Sequence, residues 1–165
     1  MKSLKLQLDP SIRIKFQIMD QNHQVLYRGS NKWFADFWDT FLGWIISLPN
    51  TYRFEDGTVL SRKLSSMKIV FAGQTDHHSL SAVINNPSLS RGGKKRPSHI
   101  QIDDQTYQIF RGQRGNYFSL FNDDGKVLAM KKDHHERDTF EAVFEEGKID
   151  QQVAAMVMIT LADSI

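Results

Sequence analysis

Through most of this chain polar and apolar residues alternate with a period of two, the spacing of a strand that buries one face. Leu4, Leu6 and Leu8 fall on one side of the N-terminal segment, with Lys5 and Gln7 on the other. Ile12-Arg13-Ile14-Lys15-Phe16-Gln17-Ile18 alternates strictly, breaks at Asp20-Gln21-Asn22-His23 and resumes at Val25-Leu26-Tyr27. The same phrase then recurs. Tyr52-Arg53-Phe54 leads through Glu55-Asp56-Gly57 to Val59-Leu60, and Ile100-Gln101-Ile102 through Asp103-Asp104-Gln105 to residues 107–110. Residues 117–121 lead through Asn122-Asp123-Asp124-Gly125 to residues 127–130. Each phrase is a pair of period-two runs around an Asp/Asn/Gly turn and predicts a β-hairpin. Asp and Asn suit such turns because their side chains bond the local backbone and tolerate positive φ. Residues 67–72, 79–84 and 139–144 read as further strands. About a dozen short strands at this spacing predict an antiparallel barrel or sandwich, and closing a barrel removes the edges that so large a sheet exposes.

Two segments depart from the strand rhythm. Between residues 33 and 48 the small or polar positions Asp36, Thr40, Gly43 and Ser47 are spaced by four, three and four, which predicts a helix with Asp39 beside its polar stripe. Around that stripe stand Trp33, Phe34, Phe37, Trp38, Phe41 and Trp44, and Pro49-Asn50 supplies a stop. The second segment follows Asp150, a suitable N-cap, and is apolar almost all round from Val153 to Leu161. A helix without a polar face is expected to be buried on every side.

Strands in this number followed by one very apolar C-terminal helix resemble the tubby C-terminal-like superfamily, which includes tubby domains, phospholipid scramblases and LURP-one-related proteins. The resemblance rests on Phe16-Gln17-Ile18-Met19-Asp20, on Leu120-Phe121-Asn122-Asp123-Asp124-Gly125-Lys126-Val127-Leu128-Ala129 and on the closing run from Ala154 to Ile165. It implies one mainly β domain over residues 1–165: a closed antiparallel barrel of about twelve strands around a buried C-terminal helix. The aromatic helix at 33–48 would be an addition to that plan. Tubby domains bind phosphoinositides through basic residues and scramblases involve calcium, but neither ligand set aligns with residues here. The helix itself suits a barrel interior, since Ala154, Ala155 and Ala162 are small and Met156 and Met158 adapt to irregular gaps.

Composition adds boundaries. A length of 165 residues fits one domain, and 40% hydrophobic residues are enough for a core. The N-terminus alternates instead of carrying an apolar run of ~7–15 residues, so no secretory signal is read there. The two most apolar stretches are shorter than the ~20 residues of a spanning helix. With no cysteine to form a disulfide, a cytoplasmic protein, peripheral at a membrane if it binds lipid, is the expectation.

Twenty-one Lys and Arg against 19 Asp and Glu leave a net charge of +2, which calls for no nucleic-acid partner. One cluster stands out against that balance. Arg91, Lys94, Lys95 and Arg96 lie around Gly92-Gly93 in an acid-free stretch with two prolines, where cations and backbone amides suit a phosphate or an anionic head group. The plainer reading is a solvated loop. Arg111 and Arg114 join the cluster if their hairpins are neighbours. The aromatic segment (Trp33, Phe37, Trp38, Phe41, Trp44) reads as core, as a plug, or as a surface that docks a protein partner or a second copy. Its polar stripe is acidic, which favours a protein contact over anionic lipid.

Asn122-Asp123-Asp124-Gly125-Lys126 is too short for a calcium loop. His77-His78 and His134-His135 are adjacent pairs that point apart on a strand and do not chelate one ion together. No catalytic or dinucleotide motif is present, and no cofactor is implied. The expectation is therefore a non-enzymatic binding module for an anionic lipid or a phosphorylated ligand. The alternative is a structural or interaction protein that works through the aromatic helix. A small-ligand barrel ranks below both, because a central helix would fill its lumen.

Overall fold

The period-two runs pair into one antiparallel sheet of twelve strands, seen in a computed structural model that describes residues 1–11, 13–30, 50–65, 68–85, 98–112 and 116–164. The strands are β1 (Lys2–Ser11), β2 (Ile14–Asp20), β3 (Val25–Ser30), β4 (Asn50–Arg53), β5 (Val59–Ser65) and β6 (Lys68–Gln74). They continue as β7 (Ser79–Asn85), β8 (His99–Ile102), β9 (Gln105–Arg111), β10 (Tyr117–Asn122), β11 (Gly125–Lys132) and β12 (Thr139–Phe144). Each strand pairs with its neighbours in sequence, and β1 also pairs with β12, from Lys2 opposite Phe144 to Gln7 opposite Thr139. The one missing pairing is between β3 and β4, which are therefore the two ends of the sheet.

Those ends meet. The Glu55 N–H donates to the carbonyl of Arg28 at 3.0 Å, and the sheet curls into a nearly closed barrel. Aromatic side chains hold the seam: Phe16 packs edge-on against Phe54 at 4.8 Å and Tyr52 at 6.0 Å, and Tyr27 against Phe54 at 5.9 Å. Lys15 Nζ donates across the seam to the Thr51 carbonyl at 3.3 Å. Gly29 lets the backbones approach, because a Cβ there would stand 2.6 Å from the Arg53 carbonyl and inside the Phe16 ring.

The expected hairpins are present, and Leu4 and Leu6 face inward. β5 runs well beyond the expected Val59-Leu60. Ser61-Arg62-Lys63 looks too polar to continue a buried strand, but Arg62 keeps the inward parity of Leu60 and is met there by Asp163.

After β12 the chain turns into α1 (Gln151–Ala162), the described counterpart of the apolar C-terminal segment. Asp150 caps it as expected, accepting from the N–H groups of Gln152 and Val153. Every residue from Val153 to Ala162 is buried. The helix packs against β1, β12 and β7, and a Cβ on Gly73 of β6 would meet Met156 Sδ at 3.0 Å. Phe16, Phe71, Phe118 and Phe144 complete one continuous core with it. The expected aromatic helix at 33–48 lies outside the described residues.

Candidate functional site

An up-and-down sheet sorts its connections into two sets, one at each end of the barrel. The turns 21–24, 54–58, 75–78, 103–104, 123–124 and 145–150 lie at one rim, with the N-terminus. They are tight. Asp20 Oδ1 accepts from the Asn22 and Gln24 N–H groups, and Asp103 Oδ1 from that of Ser79. The ends of β3, β4, β7 and β8 that flank the longer connections lie at the other rim, with Gly112, Asn116 and residues 133–138. The C-terminal end of α1 lies there too, through the contact of Asp163 with Arg62.

This sorting separates charge. Among the described residues, segments 9–15, 62–68, 111–116 and 132–138, with Asp163, hold eight Lys and Arg and five acids. The short-turn rim, counted as 1–2, 20–24, 53–58, 74–79, 102–105, 122–126 and 144–150, holds four cations and eleven acids. Among the described residues one end of the barrel is thus mildly basic and the other strongly acidic.

Of the residues singled out in the sequence, Arg91, Lys94, Lys95, Arg96 and Arg114 lie outside the described residues, as do Trp33, Phe37, Trp38, Phe41 and Trp44. Their strand ends are described. The Asn85 N–H donates to Ser98 Oγ at 3.0 Å, and the Ile109 N–H to the Ser98 carbonyl at 3.2 Å, which ties the base of the basic connection to β9. Arg111, one pleat further along β9, is exposed, with its guanidinium 5.5 Å from the Phe118 ring centroid. The hairpins carrying Arg111 and the basic stretch are thus neighbours in the sheet, the condition for a joint patch.

Sequence reading missed a polar cluster at the same rim. Arg62 Nη1 contacts Asp163 Oδ1 at 3.0 Å, and the Tyr52 hydroxyl bonds the same carboxyl group. Lys15 also reaches this carboxylate electrostatically and lies 4.7 Å from the Tyr52 ring centroid. Arg62 Nε, Asp163 Oδ2 and Thr160 Oγ1 are buried without a hydrogen-bond partner. Burial raises the Asp163 carboxyl above the ordinary aspartate range, against the pull of Arg62, Tyr52 and Lys15. Burial raises the Tyr52 hydroxyl as well, helped by the neighbouring carboxylate. One signal was available: a cation at an inward position of a strand needs an acid to face it.

The two histidine pairs, His77-His78 and His134-His135, stand in turns. His78 Nδ1 is 2.8 Å from Asp103 Oδ2, and the backbone N–H of Ser79 and this histidine hold the Asp103 carboxyl below its ordinary range. Asp133 Oδ1 accepts from the His135 N–H. Among the described residues no three His, Asp or Glu side chains converge as metal ligands, and no helix is long and apolar enough to cross a membrane.

Comparison of the chain with protein-family models, curated proteins and solved structures finds no match.

Proposed function

We propose that this chain is a non-enzymatic, tubby-like binding module whose long-connection rim meets an anionic surface, either lipid head groups or a phosphorylated ligand. One observation carries the reading: among the described residues this rim holds eight cations to five acids, while the opposite rim holds four to eleven. Arg91, Lys94, Lys95 and Arg96, with Arg111 and Arg114, supply the contact, and the tubby-like element is α1 as the filling of a closed barrel. Cations on a flat anionic surface add about 1 kcal/mol each, so a rim of this kind binds weakly per residue and firmly in sum.

Vesicle co-sedimentation tests this with neutral vesicles, vesicles containing phosphatidylserine and vesicles containing a phosphoinositide. Wild type is expected to sediment with anionic vesicles and to be released by salt. A variant with alanine at Arg91, Lys94, Lys95 and Arg96 is expected to stay in solution. Competition by a soluble inositol phosphate separates a head-group site from a general surface attraction. Equal binding by wild type and the quadruple variant overturns the proposal.

A second reading draws on the same topology. The aromatic connection joins β3 to β4, the two ends of the sheet, and with Asp36 and Asp39 it suits a protein partner. Protection of Trp33, Trp38 and Trp44 from a soluble quencher in strictly monomeric protein removes this reading.

A further inference from the structure

The chain holds two Asp-Gly steps, Asp56-Gly57 and Asp124-Gly125, and both aspartates are exposed in hairpin turns at the short-turn rim. Asp-Gly is the step at which an aspartyl side chain closes most readily on the next residue, because glycine presents its amide nitrogen with no Cβ to shield it. The two steps are matched on the glycine side. Gly57 has a φ of 91° and Gly125 of 114°, and a Cβ on either would meet nothing within 4 Å. Both glycines also belong to their turns: the Gly57 N–H donates to the Phe54 carbonyl at 3.1 Å, and Gly125 pairs with Asn122. The carboxylates differ. Asp56 is held at both oxygens, Oδ1 accepting from the Thr58 N–H at 2.9 Å and Oδ2 from Gln152 Nε2 at 2.6 Å. Gln152 also donates to Oγ1 of the buried Thr58 at 2.7 Å and belongs to the first turn of α1, so this clamp is anchored in the core. The Asp124 carboxylate has no hydrogen bond or ion pair among the described residues. Its turn holds it by the backbone alone, through the Asp124 N–H donated to Asn122 Oδ1 at 3.0 Å.

We infer that Asp124 is a site of spontaneous isomerisation to isoaspartate, from which the clamp of Thr58 and Gln152 protects Asp56. In the first step the Gly125 nitrogen attacks Cγ of Asp124. A C–N bond forms, one carboxyl oxygen leaves as water with the carboxyl and amide protons, and a succinimide ring results. In the second step water adds to one ring carbonyl and breaks its bond to nitrogen. Opening at Cγ restores aspartate, whereas opening at the main-chain carbonyl leaves Gly125 attached through Cγ. The charge is unchanged, but the main chain of the turn is longer by one methylene. Leu120 and Leu128, paired and buried just inside the turn, keep the change at the tip of the hairpin. Asp56 must first give up its bonds, and releasing one hydrogen bond to a charged group lowers the free population about tenfold. The inference is independent of the basic rim, since both steps lie at the opposite end.

The test is to age the folded full-length protein in warm neutral buffer and to follow the tryptic peptides 54–62 and 115–126, each of which carries one Asp-Gly step. Electron-transfer fragmentation distinguishes isoaspartyl from aspartyl peptides of equal mass. Peptide 115–126 is expected to gain isoaspartate at Asp124, and peptide 54–62 to gain it at Asp56 at least about tenfold more slowly. In urea, where the clamp is gone, the two are expected to convert at similar rates. Q152A, checked for folding by its melting curve, frees one oxygen of Asp56 and is expected to speed conversion of peptide 54–62. Folded protein that leaves Asp124 intact while the unfolded chain converts it overturns the inference. So does an Asp56 that converts as fast as Asp124 in the folded state, or a difference between the two that persists in urea.

Discussion

Replacing Gly29 by alanine tests how the barrel closes. Gly29 stands on β3 where no ladder joins it to β4, and its missing side chain is what permits the contact. An added Cβ would lie 2.6 Å from the Arg53 carbonyl and inside the Phe16 ring. Phe16 is fully buried and held edge-on by Phe54 and Tyr52, so it has no free rotamer to adopt. The backbone of β4 must retreat instead. Overpacking of this kind costs about 1–3 kcal/mol, and loss of the Glu55–Arg28 hydrogen bond about 1 more. Alanine recovers about 0.5–1 kcal/mol through its lower backbone entropy in a strand. A net loss of about 1–3.5 kcal/mol is a sizeable share of the ~5–15 kcal/mol of a typical domain. It corresponds to a melting point lower by about 2–14 °C for a chain of this size. Gly147 is the control, since a Cβ there meets nothing within 4 Å, and G147A is expected to melt like wild type or slightly above it. Thermal melts followed by circular dichroism read both. F16L on the G29A background removes the ring that the new methyl strikes, so the two substitutions must be non-additive. G29A melting within about 1 °C of wild type, or strict additivity with F16L, refutes the argument.

Two further substitutions probe α1. Asp163 is raised in the folded state, so folding favours its protonated form: its contribution is fully present below the ordinary value of 3.8 and is lost as pH rises through the folded-state value. D163N is therefore expected to be at least as stable as wild type at pH 7, with the advantage shrinking as pH falls toward 3.8 in urea titrations; a variant less stable at pH 7, with the gap closing in acid, would show that the Arg62 ion pair dominates. Val157 is fully buried in the middle of the helix, and V157D places an unpaired carboxylate there at a cost of several kcal/mol. Loss of the near-ultraviolet circular dichroism signal is the expected result, and a cooperatively melting V157D protein would mean that this side of the helix is reachable by water.

The strands were legible because burial on one face writes itself as alternation, and the turns because Asp, Asn and Gly carry their own backbone preferences. Asp20, Asp56 and Asn122 all accept from backbone N–H groups two residues on, the chemistry that marked them. Asp150 was legible as a cap for the same local reason. Arg62 was not, because its partner comes from the far end of the chain and no local pattern announces an acid waiting inside. The charge separation was hidden likewise. Sequence order interleaves acidic turns with more basic strand ends, and only the up-and-down topology sends the two to opposite ends of the barrel.

The pairing of β1 with β12 has a consequence for how the molecule comes into being. β1 waits for β12, and the residues of α1 follow even that. During synthesis the intervening hairpins can form one by one, yet each leaves its apolar side without a counterpart until α1 has been made. Contacts between segments so far apart in sequence carry a large loop-closure penalty and slow the search for the native state. Until β12 and α1 are at hand to close and fill the barrel, its inward-facing Phe and Leu side chains are open to chaperones or to aggregation.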